Sequence, residues 1–283
     1  VITAVGAAVA IITLLQVLTG AEKIYWQVPL PKNLPAISGP FVNHSHLAQF
    51  LNLSIGAALG LLLATLHEGF TGHSFSVQTT LEMLESRSGR RLWLIVGMIV
   101  LSVAAVFVSL SRGGMISLLI AAAFTTLVLT SRQTVRGRGW IMAVMALGAF
   151  ICVLYVGFDA VYDRLATLRD LESAQSGRWQ ILKDIAVAWT KFPLLGTGLG
   201  THEVVYPMFD RATLPALAAH AENEYAQLAE EMGIVGLGAM TVFGAIVGTH
   251  FVRAVRSAQT PIRSVAYGLG FGLLAILLHS LSD

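Results

Sequence analysis

Residues 92–110 read LWLIVGMIVLSVAAVFVSL, residues 111–113 read SRG, and residues 114–130 read GMISLLIAAAFTTLVLT. Two apolar runs are joined by almost no loop, and Arg112 is the one charged side chain between Leu92 and Thr130. Each run is close to the ~20 residues that a helix needs to cross the hydrocarbon core of a bilayer. The rest of the chain repeats the pattern. Hydrophobic residues make up 55% of its 283 positions, charged residues 12%, and the mean hydropathy is +0.72. A soluble domain carries about a quarter charged residues, so a water-covered globule is excluded. The expected fold is all-α, a polytopic bundle of transmembrane helices.

Seven spans are predicted, at about 1–19, 47–66, 92–110, 114–130, 140–158, 232–251 and 265–281. Gly56 and Gly60, and again Gly244 and Gly248, have the spacing that lets helices approach closely. Arginines set the orientation. Arg87, Arg90 and Arg91 follow span two, Arg132, Arg136 and Arg138 follow span four, and Arg253, Arg256 and Arg263 follow span six. These connections share one parity, so the positive-inside rule places all three in the cytoplasm. The outward side then holds residues 20–46, the turn at 111–113, a long segment at 159–231 and the end at 279–283. Organisation is expected to be a single membrane domain over 1–283, with 159–231 inserted between spans five and six.

Both ends read as cut, since the chain opens inside an apolar run and closes directly after another. Cys152 stands alone, so neither an intrachain disulfide nor a cysteine-based zinc site is available. The net charge of +2 carries no information about partners.

A long outward insertion among short turns is where function is sought. Trp179, Leu182, Ile185, Ala186 and Trp189 fall on one face at helical spacing, with Lys183, Asp184 and Lys191 off it. Two readings stand for this helix: it lies in the membrane interface, or it packs on the outer ends of the spans. Arg178 stands at its first turn. Pro193-Leu-Leu-Gly196-Thr-Gly198-Leu-Gly200 follows, where closely spaced glycines permit positive φ and expose N–H groups able to cradle a phosphate. A plain turn is the competing reading. Next, His220-Ala-Glu222-Asn223-Glu224 leads into span six. His220 and Glu224 share a helical face if the helix begins that early.

Arg112 sits at an outward boundary, against the general bias for inward positive charge. It is either a snorkelling anchor or a fixed fork suited to diphosphate or carboxylate. Asn43, His44 and His46 close the first outward loop. A His-x-His pair offers two metal ligands, but a zinc site needs at least three from the protein, so no metal is expected.

The order of these motifs resembles the O-antigen ligase and polymerase superfamily. It runs Ser38-Gly-x-Phe-x-Asn43-x-x-x-Leu-Ala, then Ser111-Arg-Gly-Gly, Gly177-Arg-Trp and Pro193-Leu-x-Gly-x-Gly-x-Gly. His220-Ala-x-Asn-x-Tyr-x-Gln-x-x-Ala-Glu-x-Gly and His279-Ser-x-x-Asp283 complete it. The resemblance covers the chain from about residue 38 to its end. It implies a GT-C-like membrane enzyme of the bacterial inner membrane, with a large periplasmic loop and the active site on that face. Such enzymes move a glycan from undecaprenyl diphosphate to an acceptor glycan, lipid or protein, without metal or cofactor. No nucleic-acid partner is expected. By resemblance Arg112 and Arg178 stabilise the leaving diphosphate, with Gly196, Gly198 and Gly200 as support, and Asn43, His46 and Asn223 lie near substrate. Many members carry His-x-His-Asn where this chain has His220-Ala-Glu222-Asn223, so the catalytic base is either His220 or Glu222. A small-anion transporter is the rival class, but transporters place ionisable groups near the midplane, and these span interiors are nearly free of them.

Overall fold

The computed structural model describes residues 1–29, 37–70, 86–131, 171–211 and 220–281. Within them the chain forms α1 (Ile2–Leu18), a minimal hairpin of β1 (Lys23–Ile24) and β2 (Val28–Pro29), α2 (His44–Phe70), α3 (Arg87–Val108) and α4 (Arg112–Ser131). Then come α5 (Leu171–Lys191), α6 (His202–Val205), a 3-10 turn at Tyr206–Met208, α7 (Glu224–Val255) and α8 (Thr260–His279). The two strands pair antiparallel, Lys23 opposite Pro29 and Ile24 opposite Val28.

Five of these helices, α2, α3, α4, α7 and α8, are long and apolar enough to cross a membrane; α1 is apolar and slightly shorter. The protein is an all-α, multi-pass membrane protein. Six predicted spans coincide with α1, α2, α3, α4, α7 and α8. The fifth, at 140–158, lies outside the described residues, as do Arg132, Arg136 and Arg138.

The chain divides into two compact units, residues 1–162 with 253–277, and residues 163–252 with 278–283. In the first, α2 is the central helix, packed on α1, α3 and α4. Leu47, Leu51, Ile55, Leu59, Leu62 and Leu66 are buried along it at three- and four-residue spacing, the period of one helical face. Lipid is as apolar as leucine, so helices in a bilayer gain little from burying leucines and associate through close packing and hydrogen bonds. Both are present. A Cβ on Gly56 would lie 2.6 Å from the Gly268 carbonyl oxygen and 2.7 Å from the Gly272 nitrogen, so α2 and α8 touch backbone to backbone. At Gly244 and Gly248 of α7 an added Cβ would meet nothing within 4 Å. Asn52, fully buried in α2, donates to the Gly114 carbonyl at 3.1 Å and lies 3.2 Å from the Ser117 hydroxyl. That bond holds the start of α4 in place.

The second unit builds a small core from Ile181, Ile185, Tyr206 and Ala221, with Ala226 packed against it. The buried face of α5 is Ile181, Asp184, Ile185 and Ala188. The expected face differed: Trp179 and Ala186 are exposed, and Asp184, placed off the face, is 1% exposed. The reason is polar. Asp184 accepts hydrogen bonds from the Gln180 amide at 2.8 Å, the Arg211 N–H at 3.1 Å and the Tyr206 hydroxyl at 3.5 Å. A carboxylate so satisfied can be buried, and a hydrophobic pattern does not register it. Burial, then the Asp210 and Asp184 carboxylates, push the Tyr206 hydroxyl well above the usual tyrosine range, so it stays a donor. Its raised folded value means this stability is complete below about pH 10 and is lost as pH rises beyond it. Tyr206→Phe is expected to lower stability by about 1–3 kcal/mol at neutral pH and to flatten the alkaline fall. Thermal unfolding against pH measures both effects.

Candidate functional site

In the first unit α3 ends at Val108 and the chain turns through Ser109, Leu110 and Ser111 into α4. Leu110 takes a left-handed φ of 54°, the conformation that makes so short a reversal possible. The Ser109 hydroxyl donates to the Val106 carbonyl at 2.7 Å, and the Ser111 hydroxyl accepts the Gly114 N–H at 3.1 Å. Ser111 therefore caps α4, and Arg112 is its first residue, half-buried. A helix N-terminus carries about half a positive charge. A cation there adds its charge to that of the helix end.

The starts of α2 and α4 lie together, since a Cβ on Gly114 would run into that of Ala48. Asn43, His46 and Arg112 thus belong to one end of the first unit. The Asn43 side chain accepts the Ser45 N–H at 2.8 Å and so caps α2. His46 is exposed on the first turn.

In the second unit the decisive feature is a break in α7. Gly233 adopts φ 58°, ψ −158° inside the helix, which disrupts the bonds normally made from residues 234 and 235 back to 230 and 231. The glycine turn replaces them. The Ile234 and Val235 N–H groups donate to the Pro193 and Leu194 carbonyls at 2.9 and 3.1 Å. The Thr197 and Gly198 N–H groups donate to the Glu230 and Glu231 carbonyls, both at 2.9 Å. Four reciprocal bonds clip the turn into the gap.

Two further N–H groups of the turn are also committed. The Gly196 N–H reaches the Phe192 carbonyl at 3.0 Å, and the Gly200 N–H reaches the Glu231 carboxylate at 2.8 Å. The same carboxylate accepts the Gln227 amide at 3.1 Å and the His202 N–H at 3.3 Å. The anion cradled by this loop is the chain's own. Beside it, His202 Nδ1 lies 2.5 Å from a Glu230 carboxylate oxygen, with the two side chains 1% and 0% exposed. His202 Nε2 and the other Glu230 oxygen have no hydrogen-bond partner among the described residues. Removing one member of a buried ionisable pair costs about 3–5 kcal/mol. His202→Ala should show that loss by thermal unfolding in lipid, and His202→Gln, which keeps a donor, should recover part of it.

His220, Ala221, Glu222 and Asn223 form the cap of α7, which starts at Glu224. His220 and Glu224 therefore do not stack on one helical turn, a correction to the helix start considered from the sequence. Asn223 explains the boundary. Its side chain accepts the Ala226 N–H at 2.9 Å and donates to the Leu281 carbonyl at 3.1 Å, while the Glu224 N–H donates to the Ser280 carbonyl at 3.0 Å. Ala221 is buried; His220 and Glu222 are exposed on either side of it. Glu222 has a left-handed φ of 50°, uncommon for a residue other than glycine, asparagine or aspartate. Arg178 lies inside α5, seven residues from its start, rather than at a first turn.

A family model described as O-antigen ligase matches residues 97–241, just over half of the chain. The chain belongs to the O-antigen ligase family. No curated protein and no solved structure matches it. The O-antigen ligase match takes in Arg112 and the start of α4, α5 with Arg178, the clipped glycine turn, and the cap at His220–Asn223. Asn43 and His46 fall outside it. Sequence reasoning missed Asp184, His202, Glu230 and Glu231. For the last two a signal was present: adjacent acids at the mouth of an apolar helix need partners, and the glycine-rich segment is the nearest supply of N–H donors.

Proposed function

We propose that this O-antigen ligase family chain is a bacterial inner-membrane glycosyltransferase working at the periplasmic face. It moves a glycan from undecaprenyl diphosphate to an acceptor hydroxyl. The observation that carries the reading is Arg112, the lone charge between two membrane helices, set on the first residue of α4 where the helix dipole adds to its own charge. Arg112 and Arg178 bind the diphosphate and stabilise the charge that builds on it as the sugar leaves, the kind of term that dominates many enzymatic rate enhancements. The acceptor oxygen gives its proton to a base and attacks the anomeric carbon. The bond to the diphosphate oxygen breaks, its electron pair leaves with the lipid diphosphate, and the anomeric carbon inverts.

Both Glu222 and His220 are exposed at the cap of α7 and suit the base by chemistry. The left-handed backbone at Glu222 favours the carboxylate, because strained positions concentrate where a side chain must be aimed. Asn223 fixes the cap that presents both. Gly196, Gly198 and Gly200, with their N–H groups donated within the chain, act by setting the turn rather than by contacting phosphate. The deciding experiment supplies full-length protein in lipid with an undecaprenyl-diphosphate-linked glycan and candidate acceptors, and measures release of undecaprenyl diphosphate. Release that depends on acceptor supports the reading, and the labelled product separates ligase-type from polymerase-type transfer. No release from folded protein with any acceptor would sink it.

A further inference from the structure

The segment from Phe192 to Gly200 holds no charged residue, and Leu194, Leu195 and Leu199 within it are 65%, 72% and 77% exposed. A single exposed leucine needs no explanation. Three around one turn, flanked by half-exposed Phe192, make a patch that does. The position of that patch can be read from α7. Arg253 marks one end of its apolar stretch, and the ~20 residues that cross the hydrocarbon core, at ~1.5 Å each, lead back from there to Gly233. The hydrogen bonds from Ile234 and Val235 to Pro193 and Leu194 therefore hold the turn at the hydrocarbon boundary.

Two further observations agree. Ile234 and Val235 are themselves 51% and 57% exposed, so the leucines of the turn continue the bare apolar surface of α7 without interruption. Irregular backbone exposed to lipid is excluded from the hydrocarbon itself, so the turn lies at its boundary: the reciprocal bonds to the α7 break satisfy four of its backbone groups, and headgroup water serves the rest. Exposed Lys191 before the turn and exposed Glu203 after it place charge where the chain returns to the headgroups.

We propose that Phe192–Gly200 is a re-entrant turn whose Leu194, Leu195 and Leu199 insert among lipid acyl chains at the end of α7 away from Arg253. The glycines are what let a loop sit at that depth, since each takes a positive φ that folds the backbone onto the α7 break. The assignment does not depend on the transferase reading, because it concerns where the turn lies and not what the enzyme moves.

The test uses full-length protein in lipid bilayers with Cys152→Ser and one new cysteine carrying a nitroxide, at Leu195→Cys or, separately, Leu199→Cys. Collision with oxygen, which concentrates in hydrocarbon, is compared with collision with a water-soluble nickel chelate. Ile246→Cys on the exposed side of α7 and Glu203→Cys provide the lipid and water references. Labels at 195 and 199 should match the Ile246 reference, with an oxygen-to-nickel ratio several-fold above that at Glu203. A ratio equal to the Glu203 value would place the turn in water and overturn the proposal. Low collision with both reagents would mean that protein covers the patch, and would overturn it equally.

Discussion

Arg112→Lys is expected to leave the protein folded and to slow release of undecaprenyl diphosphate by about 10²–10³-fold, a loss of ~2.7–4 kcal/mol in transition-state stabilisation. The substitution keeps the charge and most of the stem. It removes the planar fork that grips two phosphate oxygens at once. The cap bond of the turn from α3 to α4 comes from Ser111, and Asn52 holds the Gly114 carbonyl; both survive the substitution. Stability should therefore change much less than the rate does. If the side chain only anchors a helix end, lysine snorkels as well as arginine, and the rate stays near wild type. Initial rates measured beside thermal unfolding separate the two cases, and a rate within threefold of wild type removes Arg112 from the diphosphate site.

Gly196→Ala should be among the most damaging small substitutions in the chain, costing more than about 4 kcal/mol, whereas Gly200→Ala should cost about 1–2 kcal/mol. Both residues have left-handed φ, 70° and 74°, so both replacements carry the same backbone strain. Only the surroundings differ. A Cβ at Gly196 would lie 2.5 Å from the Met232 nitrogen and run into the Glu231 carbonyl, while one at Gly200 would meet nothing within 4 Å. Backbone cannot move aside as a flexible side chain does, so the methyl group at 196 must open the clip. The Pro193, Leu194, Glu230 and Glu231 carbonyls then lose their partners together. Equal losses of melting temperature for the two variants would show that the turn is not seated in the α7 break.

Much of the architecture was legible because apolar runs near twenty residues leave a chain few choices in a bilayer. Residues 92–110 and 114–130 became α3 and α4 with shifts of a few residues at their ends. Arg112 stood out for the same reason, since one charge in a long apolar stretch is conspicuous without any knowledge of its neighbours. Gly56 and Gly60 announced a close contact, though not that Gly268 and Gly272 would be the surface they meet. For the candidate site the sequence offered single residues and none of their partners. Nothing along the chain links His202 to Glu230, or Asp184 to Tyr206, because each pair is drawn together from separate elements and a hydropathy pattern scores a carboxylate as polar whatever its partner. The left-handed turn at Glu222 was hidden as well, since glutamate has no preference for it; the cap bonds of Asn223 to both helix ends hold it there.

The sequence by itself determined the class of protein, six of its apolar helices, and the family, because those follow from burying an apolar chain with its backbone bonds made internally and from the order of motifs along it. Only the tertiary structure decided what the glycines do. Read along the chain, they made a plain turn or, less directly, a phosphate cradle. In the fold the Gly196 N–H is donated to the Phe192 carbonyl, the Gly198 N–H to α7 and the Gly200 N–H to the chain's own carboxylate, and a hydrogen-bond donor already satisfied by a partner close in space is invisible in a list of residues.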